Sequence, residues 1–335
     1  MVNGDSVQAR MDQQTLDAGP GGAELHLDPR RDSGISAISY RSNSTLTESV
    51  QSDNPVFRFV EENGRTYHSY KEGRYPLPND AREQGRSTVE HHLWRLTLRD
   101  KLYLAPINRL NHVLDIGTGT GLWAFELAVR FPNARVIGTD LSPIQPQYIP
   151  TNCQFEIDDA EDEWLYRQKF DLIHSRANVF SFQSPETVIT SAYSALASNG
   201  WLEFKDFVFP FRCDDNSWNG TALQTWNRLL EDCIVRSGRR LYVEEYAQMF
   251  HNVGLVNVTE RLFIWPISPW PQGPRNEHLR ELGRWTRKNL LEGLESLSLM
   301  LLTKFGGMSK EEVLQLVQNA KADFWDTKNH VYVQM

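Results

Sequence analysis

From residue 86 onward, short apolar runs alternate with longer stretches of helical spacing. Residues 86–104 carry Val89, Leu93, Leu96 and Tyr103 near that spacing and read as an amphipathic helix. Five short runs read as buried strands, at 113–116, 135–139, 153–157, 170–174 and 201–204. Helical sequence separates several of them, notably at 122–130 and 185–196. Strands and helices in that alternation predict an α/β domain, with a mostly parallel sheet covered by helices on both faces.

The pattern changes in the second half. Residues 223–237 and 243–253 look helical, and 255–264 alternates as a strand. Pro266, Pro269, Pro271 and Pro274 then break regular structure around Trp270. Two further helical stretches, 277–303 and 309–325, precede a short terminal strand at 330–333. The expected organisation is a disordered polar tail over 1–52 and a single domain over 53–335. Within that domain, 53–110 forms an N-terminal helical cap, and 265–328 is a helical insertion over the cleft between the last two strands. Ser33, Ser36, Ser39, Ser42, Ser44 and Ser49 in the tail are possible phosphate acceptors, though serine is ordinary in such a segment.

Composition narrows the classes. A 335-residue chain with 40% hydrophobic residues can bury a substantial core, and its formal net charge of -8 argues against broad contact with nucleic-acid phosphates. No apolar run reaches membrane-spanning length, and the N-terminus has no signal-peptide core, so no membrane partner is expected. Cys153, Cys213 and Cys233 are odd in number and far apart, which suggests neither a disulfide framework nor a metal motif. The expected location is the cytoplasm, with the nucleus as the alternative.

The chemistry begins where the first strand meets glycines. Asp115-Ile-Gly117-Thr118-Gly119-Thr-Gly121 joins that strand to a helix, an arrangement that presents backbone amides to a ligand. A dinucleotide fingerprint would place its third small residue at 122, where Leu122 stands. A carboxylate at Asp115 would repel a pyrophosphate but could receive an ammonium group, directly or through water. S-adenosylmethionine (SAM), with an amino-acid end and a cationic sulfonium, fits that requirement. Asp140 ends the second strand, where an acid can accept from ribose hydroxyls; the bland reading is a turn aspartate before Pro143.

Here the chain resembles the class I SAM-dependent methyltransferases, and within them the fungal LaeA-like family. The resemblance rests on the glycine loop, on Arg65-Thr-Tyr-His-Ser-Tyr-Lys-Glu-Gly-Arg-Tyr-Pro-Leu-Pro-Asn-Asp80 and on Gly138-Thr-Asp-Leu-Ser-Pro-Ile-Gln-Pro146. Phe155-Glu-Ile-Asp-Asp-Ala-Glu-Asp-Glu-Trp164 and Phe170-Asp-Leu-Ile-His-Ser-Arg176 complete it, and it covers roughly residues 55 to 335. It implies a Rossmann-like sheet whose last strand is antiparallel, and SAM as cofactor. It further implies that Asp140, with Leu141 beside it, holds the ribose. Asp159 and the Ala160 amide would meet the adenine, with neighbouring Asp158 as the alternative acid in a run that is otherwise a solvated acidic face. Tyr67, Tyr70, Tyr75 and Arg65 would fold over the cofactor, or simply pack the first helix.

Candidates for catalysis sit at strand ends. His174, followed by Ser175 and Arg176, is a possible general base, although a lone histidine on an apolar strand is more often a hydrogen-bonded core residue. Glu203 and Asp206 are positioned to orient or deprotonate an acceptor, or else to pair with Lys205 or Arg212. Trp265, Trp270 and Trp285 are candidates for an aromatic acceptor pocket, or for plain core. The expected function is methyl transfer to a small-molecule acceptor, with fungal secondary metabolism as its setting. A LaeA-like nuclear regulator acting through protein partners is the alternative. Leu122 and Asp115 disfavour a nicotinamide-dependent oxidoreductase.

Overall fold

A computed structural model describes residues 58–335, together with the backbone of 38–40. In chain order the elements are β1 (Ile38–Tyr40), β2 (Phe59–Glu62), β3 (Arg65–His68), α1 (Ala81–Thr97), β4 (His112–Ile116), α2 (Leu122–Arg130), β5 (Arg135–Asp140), β6 (Cys153–Ile157) and β7 (Phe170–Arg176). The chain continues through α3 (Pro185–Ala195), β8 (Leu196–Lys205), β9 (Val208–Arg212), α4 (Ala222–Arg236), α5 (Tyr246–Asn252), β10 (Ile264–Pro266), α6 (Glu277–Lys304), α7 (Lys310–Asp323) and β11 (Tyr332–Gln334).

The main sheet runs in the order β1-β6-β5-β4-β7-β8, and β6 through β8 pair in parallel. Strand pleating divides its core between two faces, because successive side chains point to opposite sides. Val113, Val136 and Leu172 pack with Trp123 and Leu127 of α2, whereas Leu114, Ile137 and Ile173 pack with Val188 and Ile189 of α3. This is the Rossmann-like architecture that the apolar runs predict.

The last strand is antiparallel, as expected, and lies beyond a break in the sheet. The chain leaves β8, passes Asp206 and Phe207, and resumes as β9; β11 pairs antiparallel with β9, and β10 with β11. These three strands, α1, α4, α6 and α7 share the largest core cluster, which includes Leu93, Trp226, Leu294 and Phe324. Helix starts follow from the sequence: Asp80 caps α1, Ser184 precedes Pro185 in α3, and Ser309 forms a capping box with Glu312 in α7.

Four expectations change. The first helix begins at Ala81 and ends at Thr97, because Asp80 caps it early and Arg99 and Asp100 turn left-handed just after it. Only Ile264 of the segment 255–264 enters a strand, with Val256 and Leu262 exposed along the rest. Alternation alone makes no strand where nothing supplies a ladder partner. The hairpin β2–β3, turned by Asn63 and Gly64 at positive φ, was not foreseen. Nor was β1, which lies within the span expected to be disordered and pairs antiparallel with β6. The remainder of that expected tail lies outside the described residues. No helix among the described residues is long and apolar enough to cross a membrane.

Candidate active site

Three glycines bend the chain from β4 into α2. Gly119 has φ +57°, and a Cβ placed on it would meet nothing closer than the Ser87 hydroxyl at 4.0 Å, so it faces open space. Gly121 has φ +77°, and a Cβ there would lie 2.4 Å from the Phe155 ring. The first position therefore opens the loop to a ligand, and the second lets α2 seat on the sheet. Thr118 N donates to the Thr139 carbonyl at 2.9 Å, and Gly119 N to Asp140 Oδ2 at 2.8 Å.

The cleft above this loop is lined by Gly117, Thr118, Gly119, Asp140, Leu141, Asp158, Asp159, Ala160 and Tyr75, all foreseen as cofactor contacts. Burial pushes the Asp140 carboxyl up and that of Asp158 to about 7. Asp158 accepts from the Asp159 amide at 3.0 Å. The Asp159 carboxylate is already met by Lys71 Nζ at 2.9 Å and Arg74 Nε at 3.3 Å. Arg74 also reaches Glu161 at 2.6 Å, while Arg239 donates to the Arg74 carbonyl at 2.7 Å. The segment 70–78 is thus fastened across the acidic strand ends by ion pairs.

Other expected contacts lie away from the cleft lining. Asp115 is 3% exposed beneath the loop, where Oδ2 accepts from the Thr118 hydroxyl at 2.6 Å and Oδ1 lies 2.7 Å from His174 Nδ1. Gly121 packs on Phe155 rather than facing the cleft. Tyr67 is buried, its hydroxyl meets no partner among the described residues, and burial pushes it to about 12.

The three residues expected to catalyse are also corrected by their placement. His174 is wholly buried and stacks on Trp123 at 3.7 Å with an interplanar angle of 4°. Burial drives its pKa well below the usual value, so it is a neutral ring whose Nδ1 shares a hydrogen bond with Asp115 Oδ1. Glu203 accepts from the amides of Leu104 and Ala105, both at 2.8 Å, and pairs with Lys205 at 2.6 Å. Asp206 accepts from Val179 N at 2.9 Å and the Tyr246 hydroxyl at 3.2 Å; burial pushes it up to about 8. Asp115, His174 and Glu203 are register neighbours across β4, β7 and β8. They form one polar row on the α2 face of the sheet that braces the loop from below.

The tryptophans do not line the cleft either. Trp265 is core and donates to Thr97 Oγ1 at 2.7 Å, Trp270 donates to the Val331 carbonyl at 2.9 Å, and Trp285 lies against His92. No residue of α6 or α7 lines the cleft; α6 packs against α1, and α7 against α6 and α4.

The rest of the wall includes residues that sequence reasoning gave no ligand role: Glu83, Arg86, Ser87 and Glu90 on α1, with Arg176 at the end of β7 and Asn178 just after it. Arg86 is held by Glu83 at 2.6 Å, by Glu90, and by Asn289 Oδ1 of α6 at 3.1 Å. A Cβ on Gly293 of α6 would lie 2.7 Å from Arg86 Cδ. Spacing by three and four puts 83, 86, 87 and 90 on one helical face, a signal present in the sequence beside the apolar stripe of the same helix.

This donor set fits an adenosyl ligand with an amino-acid end. Carboxylates at two strand ends face the cleft to accept from hydroxyl and amino groups, and the loop leaves open space at Gly119. Sequence comparison finds relatives among known proteins. A family model described as a methyltransferase domain matches residues 89–260. The chain is 37% identical over 284 residues to "Methyltransferase pytC" of Aspergillus terreus, covering 82% of this chain and 83% of that one. It is 32% identical over 299 residues to "Secondary metabolism regulator laeA" of Aspergillus fumigatus, covering 88% and 79%. Among solved structures, Haemonchus contortus phosphoethanolamine N-methyltransferase 2 in complex with SAM aligns with a TM-score of 0.48 and 14% identity, over 89% of this chain and 75% of that one.

Proposed function

The chain belongs to the class I SAM-dependent methyltransferases, related to fungal LaeA- and pytC-like proteins, and from that premise we propose that it methylates a small-molecule acceptor of fungal secondary metabolism. The observation that carries this reading is the cleft wall opposite the strand ends, where Tyr75, Glu83, Arg86 and Glu90 gather beside the open space at Gly119. The bound cofactor supplies a methyl group already activated by its sulfonium. Asp140 would hold the ribose hydroxyls, and Asp158, Asp159 and the Ala160 amide the adenine. Lys71 and Arg74 would keep the segment 70–78 closed and exclude water.

The protein's part is then to bring the acceptor into line, which depends on position more than on acid–base chemistry. Tyr75 has its pKa raised by burial and so presents a hydroxyl that donates. Glu83 and Glu90 are both paired with Arg86, so this wall offers the acceptor a charged, hydrogen-bonded lining rather than a free base.

The test is turnover of SAM by the purified chain with a panel of phenols, enols, amines and carboxylic acids, read as S-adenosylhomocysteine release. We expect at least one acceptor to be methylated, and Gly119→Arg to abolish both turnover and S-adenosylhomocysteine binding. Turnover undiminished in Gly119→Arg would end this reading. The relatives named as secondary metabolism regulators support a second one, action through protein partners. An inactive panel together with a specific partner recovered from native extract would favour it.

A further inference from the structure

Arg176, the last residue of β7, lines the cleft without a carboxylate of its own. Its hydrogen bond is from Nη2 to His91 Nδ1 at 3.0 Å, and no acid among the described residues forms an ion pair with it. A guanidinium only donates, so Nδ1 of His91 must accept, and the proton of that ring sits on Nε2. There it meets Glu126 Oε2 at 3.0 Å, and Glu126 is held in turn by Arg95 and Arg130. Burial and the Arg176 charge bring His91 down to about 4, in keeping with a neutral ring.

The relay therefore aims the guanidinium without neutralising it. The acids whose charge reaches Arg176 are Asp115, Glu90 and Glu126. Each is already engaged: Asp115 by Thr118 and His174, Glu90 by Arg86, Glu126 by His91 and Arg95. Even a half-buried cation is costly to leave without a counter-ion, and burial does weaken the hold of Arg176 on its proton. What completes the site is an anion that enters the cleft.

We infer that Arg176 is the counter-ion of the carboxylate at the amino-acid end of the cofactor, and that His91 is the residue that positions it. Arg176 stands on the Gly117 side of the cleft, next to Asn178, whose side chain would collide with a Cβ at Gly117 at 2.2 Å. Asp140, Asp158 and Asp159 line the other part, where the adenosine belongs. A carboxylate also matches the planar fork of arginine, which can give it two parallel hydrogen bonds. The inference rests on the cofactor being SAM, and extends it to a residue that neither the glycine loop nor the strand-end acids include.

The test compares two ligands by calorimetry: S-adenosylhomocysteine, and methylthioadenosine, which keeps the adenosyl thioether but has no amino-acid end. In Arg176→Met we expect S-adenosylhomocysteine to bind about tenfold to a hundredfold more weakly, the range for losing a charged hydrogen bond. Methylthioadenosine should bind as it does to the unaltered chain. His91→Phe should shift the same ratio by a smaller factor, and His91→Asn, whose Oδ1 can accept the same bond, should restore it. Unchanged S-adenosylhomocysteine affinity in Arg176→Met would overturn the inference and leave an acidic acceptor as the anion. A parallel fall of both ligands would also overturn it, by making Arg176 a structural residue. Should Arg176→Met not fold, Arg176→Lys keeps the charge without the fork, and an unaltered ratio there would count against the inference equally. A chain that binds neither ligand before any substitution would instead refute the cofactor assignment beneath it.

Discussion

Asp206 is a buried carboxyl group held by an amide and a phenol, and its ionisation has a measurable consequence. Its pKa is raised from the ordinary 3.8 of an aspartate to about 8, mainly by burial. Between those values the folded chain holds a proton that the unfolded chain has lost, so stability falls as pH rises from about 4 to about 8. Asparagine in its place keeps an oxygen for the Val179 amide and cannot ionise. We expect Asp206→Asn to melt with a weaker pH dependence than the unaltered chain between pH 5 and 8, with the advantage growing toward pH 8. Parallel melting curves would show that Asp206 ionises freely.

The residues of the site divide into those legible in the sequence and those that were not. Asp140, Asp158 and the glycine loop follow from spacing, since a strand end or a tight turn fixes where the backbone delivers them. His174 and Glu203 also end strands, yet they point elsewhere. Leu172 and His174 share a face by their period of two, as do Trp201 and Glu203, and that face carries Trp123 rather than the ligand. The period was readable; which face meets the cleft depends on what packs there, and that is tertiary information. The same holds for Arg176, which was noted only as the end of a strand, because its lack of an ion pair among the described residues appears only once α1 is in place.

Among the elements, the segment 65–78 is fastened to the strand ends largely by charged side chains. Lys71 meets Asp159 and Asp162, Arg74 meets Glu161, and Arg239 ties the Gly73 and Arg74 carbonyls to that of Phe180. Pairs that are partly exposed weaken with salt. Lys71→Ala combined with Arg74→Ala should speed amide hydrogen exchange across 66–78. It should also lower S-adenosylhomocysteine affinity and remove most of the salt dependence of that affinity between 0.05 and 0.5 M, on the order of the range over which the screening length shortens severalfold. Exchange as slow as in the unaltered chain would mean that the hairpin β2–β3, not the ion pairs, holds the segment down. The helices α2 and α3 were legible almost to the residue because they alternate with strands and carry clear start signals. The hairpin was not, since its four-residue strands are too short to show a period.

At the scale of the whole molecule, the largest core joins elements far apart in sequence: Leu93 and Trp94 of α1, Trp226 of α4, Leu294 and Leu302 of α6, Val317 of α7 and Val333 of β11. The described residues beyond 58 should therefore unfold together. Far-ultraviolet circular dichroism and tryptophan fluorescence are expected to report one coincident transition in urea. Leu294→Ala, at a fully buried position, should lower it by about 3 kcal/mol for both probes. Two separated transitions would show that the C-terminal helices form a body of their own. The late helices were foreseen, but as a cover for the cleft, because an apolar stripe says that a helix packs and not against what.

Their actual place bears on how such a chain can diversify. Arg86 looks into the cleft from α1, but its flank rests on α6, where Gly293 leaves just enough room and Asn289 holds the guanidinium. A methyl group at position 293 would press on Arg86 from behind. Substitutions that never touch a ligand can thus reshape the acceptor wall while the cofactor side stays intact, so that selection for new acceptors has a route through the outer helix.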